Sequence, residues 1–354
     1  MKAFLAIDRE THEIRDIPIP EIGDRDILIQ MKAAAICGSD VHIYDGSMDP
    51  LCGYPVIMGH ENAGVIVKIG KDAPGDWKVG DRVTSENTVT VCGKCYSCMT
   101  GEYVACEERT GFGVAADGCF AEYIKISGDI LSFAPQCLMK IPDNLSFEEA
   151  VLLEPAANAY KSVIQEGGLI AGENILIAGA GTFGTYCAHM ASIGGAAKVV
   201  MLIRRSTIPE KIEIAKKMGV TDFIYSDDDA EARAEAARLT DGFGFDLAIE
   251  TTTSPHILNY CIETLHTHGR CVRIAIGGEP YNYSMDSITL RSIKLMGHLG
   301  YNPISWRNVM NLSAAGKVDL KTPVTHVFPL EQTDEGFKVM CSRQAEKVII
   351  KIGE

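Results

Sequence analysis

The sequence predicts a two-domain α/β protein in which an irregular, β-barrel-like domain comes before a doubly wound parallel sheet. Three observations predict it. Short β-type segments broken by Gly, Pro and Asp fill the chain as far as Asn144. From Glu173 onward, short apolar runs alternate with longer helical patterns. Between the first of those runs and its helix lies Gly179-Ala180-Gly181-Thr182-Phe183-Gly184, a G-x-G-x-x-G turn. The length, 354 residues, exceeds a typical domain of roughly 100–200, so two domains are expected.

In the first domain the strand candidates include 27–31, 64–69 and 120–124, with turn signals at Pro18, Pro20, Gly23-Asp24 and Gly80-Asp81. The pattern changes after Asn144, where Ser146 with Glu149 three residues later reads as a capped helix start. Strands are then expected at 174–178, 198–203, 222–225, 246–250 and 270–276, and helices over 186–193, 209–218 and 230–239. Surface strands late in this sheet fall near 295–301. From Val318 the chain returns to β-type segments, and the terminal run 346–352 is expected to rejoin the first domain, because chain ends often lie close together. The boundaries expected are 1–155 for the first domain, completed by about 305–354, and 156–304 for the second. The charge run Asp227-Asp228-Asp229 reads as a solvated loop.

Composition narrows the function. Hydrophobic residues make up 46% and charged residues 23%, enough to fill two cores. No apolar run approaches the roughly 20 residues that span a bilayer, and the start of the chain does not read as a signal peptide, so a cytoplasmic protein is expected. A formal net charge of -14 disfavours nucleic acid or an anionic membrane as partner, since both need a basic face. Twelve cysteines in such a chain should stay reduced, so clustered ones read as metal ligands rather than disulfides.

One cluster is compact: Cys92-x-x-Cys95-x-x-Cys98 and then Cys106, interleaved with Gly93 and Gly101. Four thiolates would satisfy tetrahedral Zn²⁺ and leave no open position, so a structural site is expected. An iron–sulfur cluster also takes four cysteines. Two further segments carry ligand types suited to an open metal site: Cys37-Gly38-Ser39-Asp40-Val41-His42 and Gly59-His60-Glu61. Taken singly, such a Cys or His is usually a core residue.

Taken in order with the four-cysteine lobe and Glu154-Pro155, these segments resemble the zinc-containing medium-chain dehydrogenases, the family of alcohol, sorbitol, butanediol and threonine dehydrogenases. The resemblance runs over essentially the whole chain. It implies a GroES-like catalytic domain and a Rossmann domain. It implies Cys37 and His60 as ligands of a catalytic zinc, with Glu61 and Glu154 where the polyol and threonine branches place carboxylates near or on the metal. Ser39 and His42 match the family's proton-relay positions, suited by a hydroxyl that accepts and donates and an imidazole that titrates near neutrality. Two zincs per chain follow, one catalytic and one structural. Relatives form dimers or tetramers, so a homo-oligomer is expected, a homotetramer among the possibilities. Cys187 falls in a helix of the second domain and is read as packing there.

The glycine turn follows a strand and opens a helix, which makes it a dinucleotide fingerprint. Gly179 permits the tight turn, Gly181 lets the backbone approach a pyrophosphate, and Gly184 allows close helix–strand packing; Thr182 and Phe183 complete the loop. NAD enzymes place an acid about 20 residues on, to bond the ribose 2′-hydroxyl. Here the second strand runs into Arg204-Arg205-Ser206-Thr207, and no carboxylate comes before Glu210. Paired guanidinium donors suit a 2′-phosphate, so NADP(H) is expected, with NAD(H) as the alternative.

The expected activity is oxidation of a small polar secondary alcohol (a polyol, cyclitol or vicinal diol) to its ketone, or the reverse. L-Threonine 3-dehydrogenase is the alternative, because 110–123 and 40–44 look like threonine dehydrogenases while Ser39 and Glu154-Pro155 look like the sorbitol and butanediol enzymes. A zinc-free quinone or enoyl reductase shares the architecture but would lack Cys37, His60 and Glu154. A non-catalytic zinc-stabilised binding protein would need no Ser39 and no open site.

Overall fold

The computed structural model describes residues 1–278 and 280–353. Two compact units divide the chain: Met1–Glu154 with Asn302–Ile304 and Val324–Glu354, and Pro155–Tyr301 with Ser305–Pro323. Asn302–Ile304 already belongs to the first unit, but Ser305–Pro323 packs with the second, so the lasting return comes at Val324.

The first unit is built on a mixed sheet whose order is Leu138–Lys140, Arg82–Ser85, Glu61–Ile69, Ile27–Ile36, Lys347–Lys351, Val324–Pro329, with Tyr123–Ile126 also pairing with Ile27–Ile36. Ile27–Ile36 is apolar along nearly its whole length and is buried on both faces, as a central strand must be. The terminal strand does rejoin this unit, pairing antiparallel with Ile27–Ile36. The core gathers Phe4, Ile29, Met31, Ile66, Phe120, Phe337 and Ile350. Ser146 caps the helix Phe147–Ala150, accepting from Glu149 N–H while Glu149 accepts from Ser146 N–H.

The second unit is a six-stranded, wholly parallel sheet: β1 (Asn174–Ala178), β2 (Lys198–Ile203), β3 (Asp222–Tyr225), β4 (Phe245–Glu250), β5 (Leu265–Arg273) and β6 (Lys294–Gly297), ordered β3-β2-β1-β4-β5-β6. This is the dinucleotide-binding order, with its switch point beside β1. The helix after the glycine turn spans Thr182–Ile193, one turn earlier than the apolar pattern suggests. Cys187 lies on it, fully buried. The Asp227–Asp229 run is more than a solvated loop: Asp228 caps the helix Asp229–Leu239 by accepting from Glu231 N–H, and Asp227 accepts from Arg205 N–H. Among the described residues no helix is long and apolar enough to cross a membrane.

Candidate active site

In the first unit, three neighbouring strands end together. Glu61 opens its strand opposite Ala35 on Ile27–Ile36, and on the other side of that central strand Val348 lies opposite Ile36. Cys37 follows at once as the N-cap of the helix Gly38–Tyr44. The antiparallel pairing therefore converges Cys37, His60, Glu61 and Lys347 from distant parts of the sequence.

One ligand atom each from Cys37, His60 and Glu61 lie within 4.8 Å of one another, a donor set of thiol, imidazole and carboxylate that suits Zn²⁺. His60 Nδ1 is 3.0 Å from Asp40 Oδ1, so Nδ1–H donates to the carboxylate and Nε2 is left for a metal. Asp40 Oδ2 accepts from Cys37 N–H at 2.9 Å, tying both candidate ligands to one buried carboxylate. Burial on its own lowers the His60 imidazole; the Asp40 carboxylate outweighs it and lifts His60 well above its ordinary value. Glu61 and Lys347 form a buried ion pair, Nζ at 2.7 Å from Oε1 and 2.6 Å from Oε2. Burial pushes Glu61 up and Lys347 opposes it; burial lowers Lys347, yet the Glu61 charge raises it.

The structure brings Ser39 and His42 onto one face of the same short helix, three residues apart. His42 is exposed and its Nδ1 lies 3.0 Å from Ser47 Oγ. Glu154, second residue of the helix Leu153–Tyr160, is buried but is not part of the 4.8 Å cluster. Its charge acts on both Lys347 and Glu86, a buried carboxyl that burial pushes up to about 8.

Cys92, Cys95, Cys98 and Cys106 form the second cluster, again within 4.8 Å of one another and unbridged. The Cys92 and Cys98 sulfurs are 3.9 Å apart, close to the roughly 3.8 Å edge of a tetrahedron with 2.3 Å Zn–S bonds. Backbone N–H groups of Lys94 and Cys95 stabilise the Cys92 thiolate, holding it near 7.

In the second unit, the glycine turn fits a pyrophosphate. Gly179 has φ +115°, and a Cβ there would meet Thr251 Oγ1 at 2.3 Å; at Gly184 one would meet the Gly179 carbonyl at 2.1 Å. At Gly181, the N-cap, nothing lies within 4 Å of that position, so a phosphate has room against the helix N–H groups. Thr182 and Phe183 follow as the first helical residues. Arg204 and Ser206 are exposed after β2. Arg205 is already engaged: it pairs with Glu231 at 2.6 Å and lies 5.1 Å over the Tyr225 ring.

Comparison with known proteins decides the family. Residues 23–136 match the alcohol dehydrogenase GroES-like domain, and 183–315 match the zinc-binding dehydrogenase domain. The chain is 35% identical over 345 residues to the uncharacterized zinc-type alcohol dehydrogenase-like protein YdjL of Escherichia coli (strain K12), covering 96% of this chain and 95% of that one. The chain belongs to the zinc-type medium-chain alcohol dehydrogenase family. As a member it is an NAD(P)-dependent alcohol oxidoreductase. It is 33% identical to L-threonine 3-dehydrogenase of Salmonella typhi over 95% of this chain and 94% of that one. Among solved structures it resembles 2R,3R-butanediol dehydrogenase of Bacillus subtilis, with 27% identity, 99% of each chain covered and a TM-score of 0.87. It also resembles an alcohol dehydrogenase of Thermus sp. ATN1, with 25% identity, 100% of each chain covered and a TM-score of 0.89.

Asp40 and Lys347 are the residues that motif reading did not assign. Asp40 is expected to act through His60. In an Asp40→Asn variant, zinc affinity of the Cys37 site should fall about 10–100-fold, as competition with a chromophoric chelator would register. The four-cysteine site should be unaffected.

Proposed function

We propose that this dehydrogenase interconverts a small polar secondary alcohol (a polyol, cyclitol or vicinal diol) and its ketone, with Cys37 and His60 holding a catalytic zinc, Glu61 or Glu154 as the acidic partner, and the four-cysteine lobe holding a second, structural zinc. The observation that supports the substrate class is the charged surround of the cluster: Asp40, Glu61 and Lys347 are all buried in or beside it, a lining that suits hydroxyl groups better than an alkyl chain. Zinc in this site supplies Lewis-acid stabilisation of an alcohol oxygen, and the nicotinamide cofactor is the hydride acceptor.

The chain's own residues do the rest. Asp40 fixes the His60 tautomer and the position of Cys37. Lys347 holds Glu61 in place and balances its charge. Ser39 accepts the alcohol proton as its own hydroxyl proton passes to His42, which is exposed on the same helix and releases it to solvent. Arg204 and Ser206 favour a cofactor 2′-phosphate, with Arg205 available once its pair with Glu231 opens, so we read NADP(H) as preferred over NAD(H). A homo-oligomer is part of the same reading, supported by β6, the sheet-edge strand with exposed side chains.

A second reading, L-threonine 3-dehydrogenase, has the support of the 33% identical relative. A screen of polyols, cyclitols, vicinal diols and L-threonine with both cofactors separates the two. We expect the highest kcat/KM with a hydroxyl-rich substrate and at least about tenfold preference for NADP, the worth of a charge-assisted phosphate contact. Best turnover of threonine would replace the substrate reading, and equal or better use of NAD would remove the cofactor preference.

A further inference from the structure

The helix Gly38–Tyr44 ends in a turn that folds back on His42. Gly46 takes φ +73°, a left-handed conformation that glycine adopts without strain, and the chain reverses so that Met48 N–H donates to the His42 carbonyl at 2.9 Å. The reversal sets Ser47 against the imidazole, its Oγ 3.0 Å from His42 Nδ1. The same hydroxyl reaches the His42 carbonyl at 3.3 Å, and Ser47 N–H donates to Asp45 Oδ1 at 2.9 Å. His42, Asp45 and Ser47 thus form one cluster at the last turn of the helix, where the carbonyl end of the dipole favours a cation.

Counting protons decides which imidazole nitrogen is basic. The Ser47 hydroxyl has one proton, and both the His42 carbonyl and the Asp45 carboxylate accept from it. Its oxygen is then the acceptor toward the ring, so His42 Nδ1 carries the hydrogen and Nε2 the lone pair. Burial raises the Asp45 carboxyl, but hydrogen bonds from Ser47 outweigh this and the nearby His42 lowers it further, so a negative charge is held beside the ring. A proton leaving the Ser39 hydroxyl needs a nitrogen that does not already hold one. In this tautomer that nitrogen is Nε2.

We propose that Ser47 is a positioning residue of the proton path: it fixes His42 in the Nδ1–H tautomer and so leaves Nε2 as the atom that takes the proton from Ser39. The step balances. The Ser39 O–H bond breaks as that hydroxyl accepts the alcohol proton, an N–H bond forms at His42 Nε2, and the imidazolium, with Asp45 beside it, gives the Nε2 proton to water. Nδ1–H stays on Ser47 Oγ throughout, so the ring ends each cycle in the tautomer in which it began. This rests on the relay role proposed for Ser39 and His42.

Nitrogen-15 NMR of the full chain with labelled histidine reads the tautomer without turnover, His42 being assigned by the signals that His42→Asn removes. We expect neutral His42 in the wild type to carry its hydrogen on Nδ1, Ser47→Ala to move it toward Nε2, and Ser47→Thr, which keeps a hydroxyl, to return it to Nδ1. Turnover of 2,3-butanediol, or of L-threonine if the screen above favours it, gives the second readout. For Ser47→Ala kcat should fall about three- to tenfold, as loss of one hydrogen bond does, with KM within about twofold and most of the loss recovered in Ser47→Thr. His42→Asn should cost about a hundredfold or more. A wild-type His42 protonated on Nε2 would overturn the proposal, as would a tautomer or a kcat that Ser47→Ala leaves unmoved. Wild-type turnover by His42→Asn would instead show the relay reading itself to be wrong, and the role of Ser47 would fall with it.

Discussion

Cys37→Ser is expected to cut turnover by at least about a thousandfold, some 4 kcal/mol of barrier, while the chain folds and binds its cofactor as before. A serine hydroxyl is a poor, neutral donor to zinc where a thiolate is a charged one, so the Cys37–His60–Glu61 set would lose its metal. The fold should survive because Cys37 contributes little to the core: it is only half-buried, and the helix it opens is held by the Asp40 carboxylate, which accepts from the Cys37 backbone N–H whatever the side chain there. On the proposed two-zinc reading, elemental analysis should then find one zinc fewer per chain than in the wild type, the remaining one in the four-cysteine lobe. Full activity with a single zinc would remove the metal-assisted reading.

The second large effect concerns stability. Lys347 and Glu61 are 2% and 0% exposed as side chains, so each charge depends on the other. Lys347→Met would strand the Glu61 carboxylate among Asp40, His60 and the apolar ends of three strands. Breaking a buried pair from one side costs about 3–5 kcal/mol, and denaturant unfolding of zinc-free protein should show a loss of that order. Adding Glu61→Gln to the same chain should return most of it, because no charge is then left unpaired. If Lys347→Met unfolds within about 1 kcal/mol of the wild type, the pair holds geometry rather than stability.

Much of this architecture is legible in the sequence. The glycine turn, the cysteine lobe and four of the five strand candidates of the second unit are legible locally, while the fifth, expected at 270–276, lies at Leu265–Arg273. Cys37 and His60 are legible only in combination, as parts of an ordered set. What the sequence conceals is pairing at long range. Lys347 sits 286 residues from Glu61. Only the order of strands in the sheet brings those partners together, and no period or motif encodes it. Asp40 is a different case. It lies inside the motif, but an acid three residues after a helix cap usually serves the backbone, and its second duty toward His60 shows only in three dimensions. Arg205 was legible as a basic residue in the right loop, yet its partner Glu231 belongs to a later helix, so how free it is could not be read.

The terminal strand carries a consequence for biosynthesis. Lys347–Lys351 lies inside the sheet, between Ile27–Ile36 and Val324–Pro329, so the centre of the first unit stays open until that strand has been translated. At about 5–20 residues per second, Glu61 waits roughly 15–60 seconds for the ammonium that neutralises it. During that interval the nascent chain exposes an unzipped strand edge and an uncompensated carboxylate. The second unit, which ends at Pro323, has meanwhile been translated in full, so the nucleotide fold can be complete before the sheet of the metal-binding half can close.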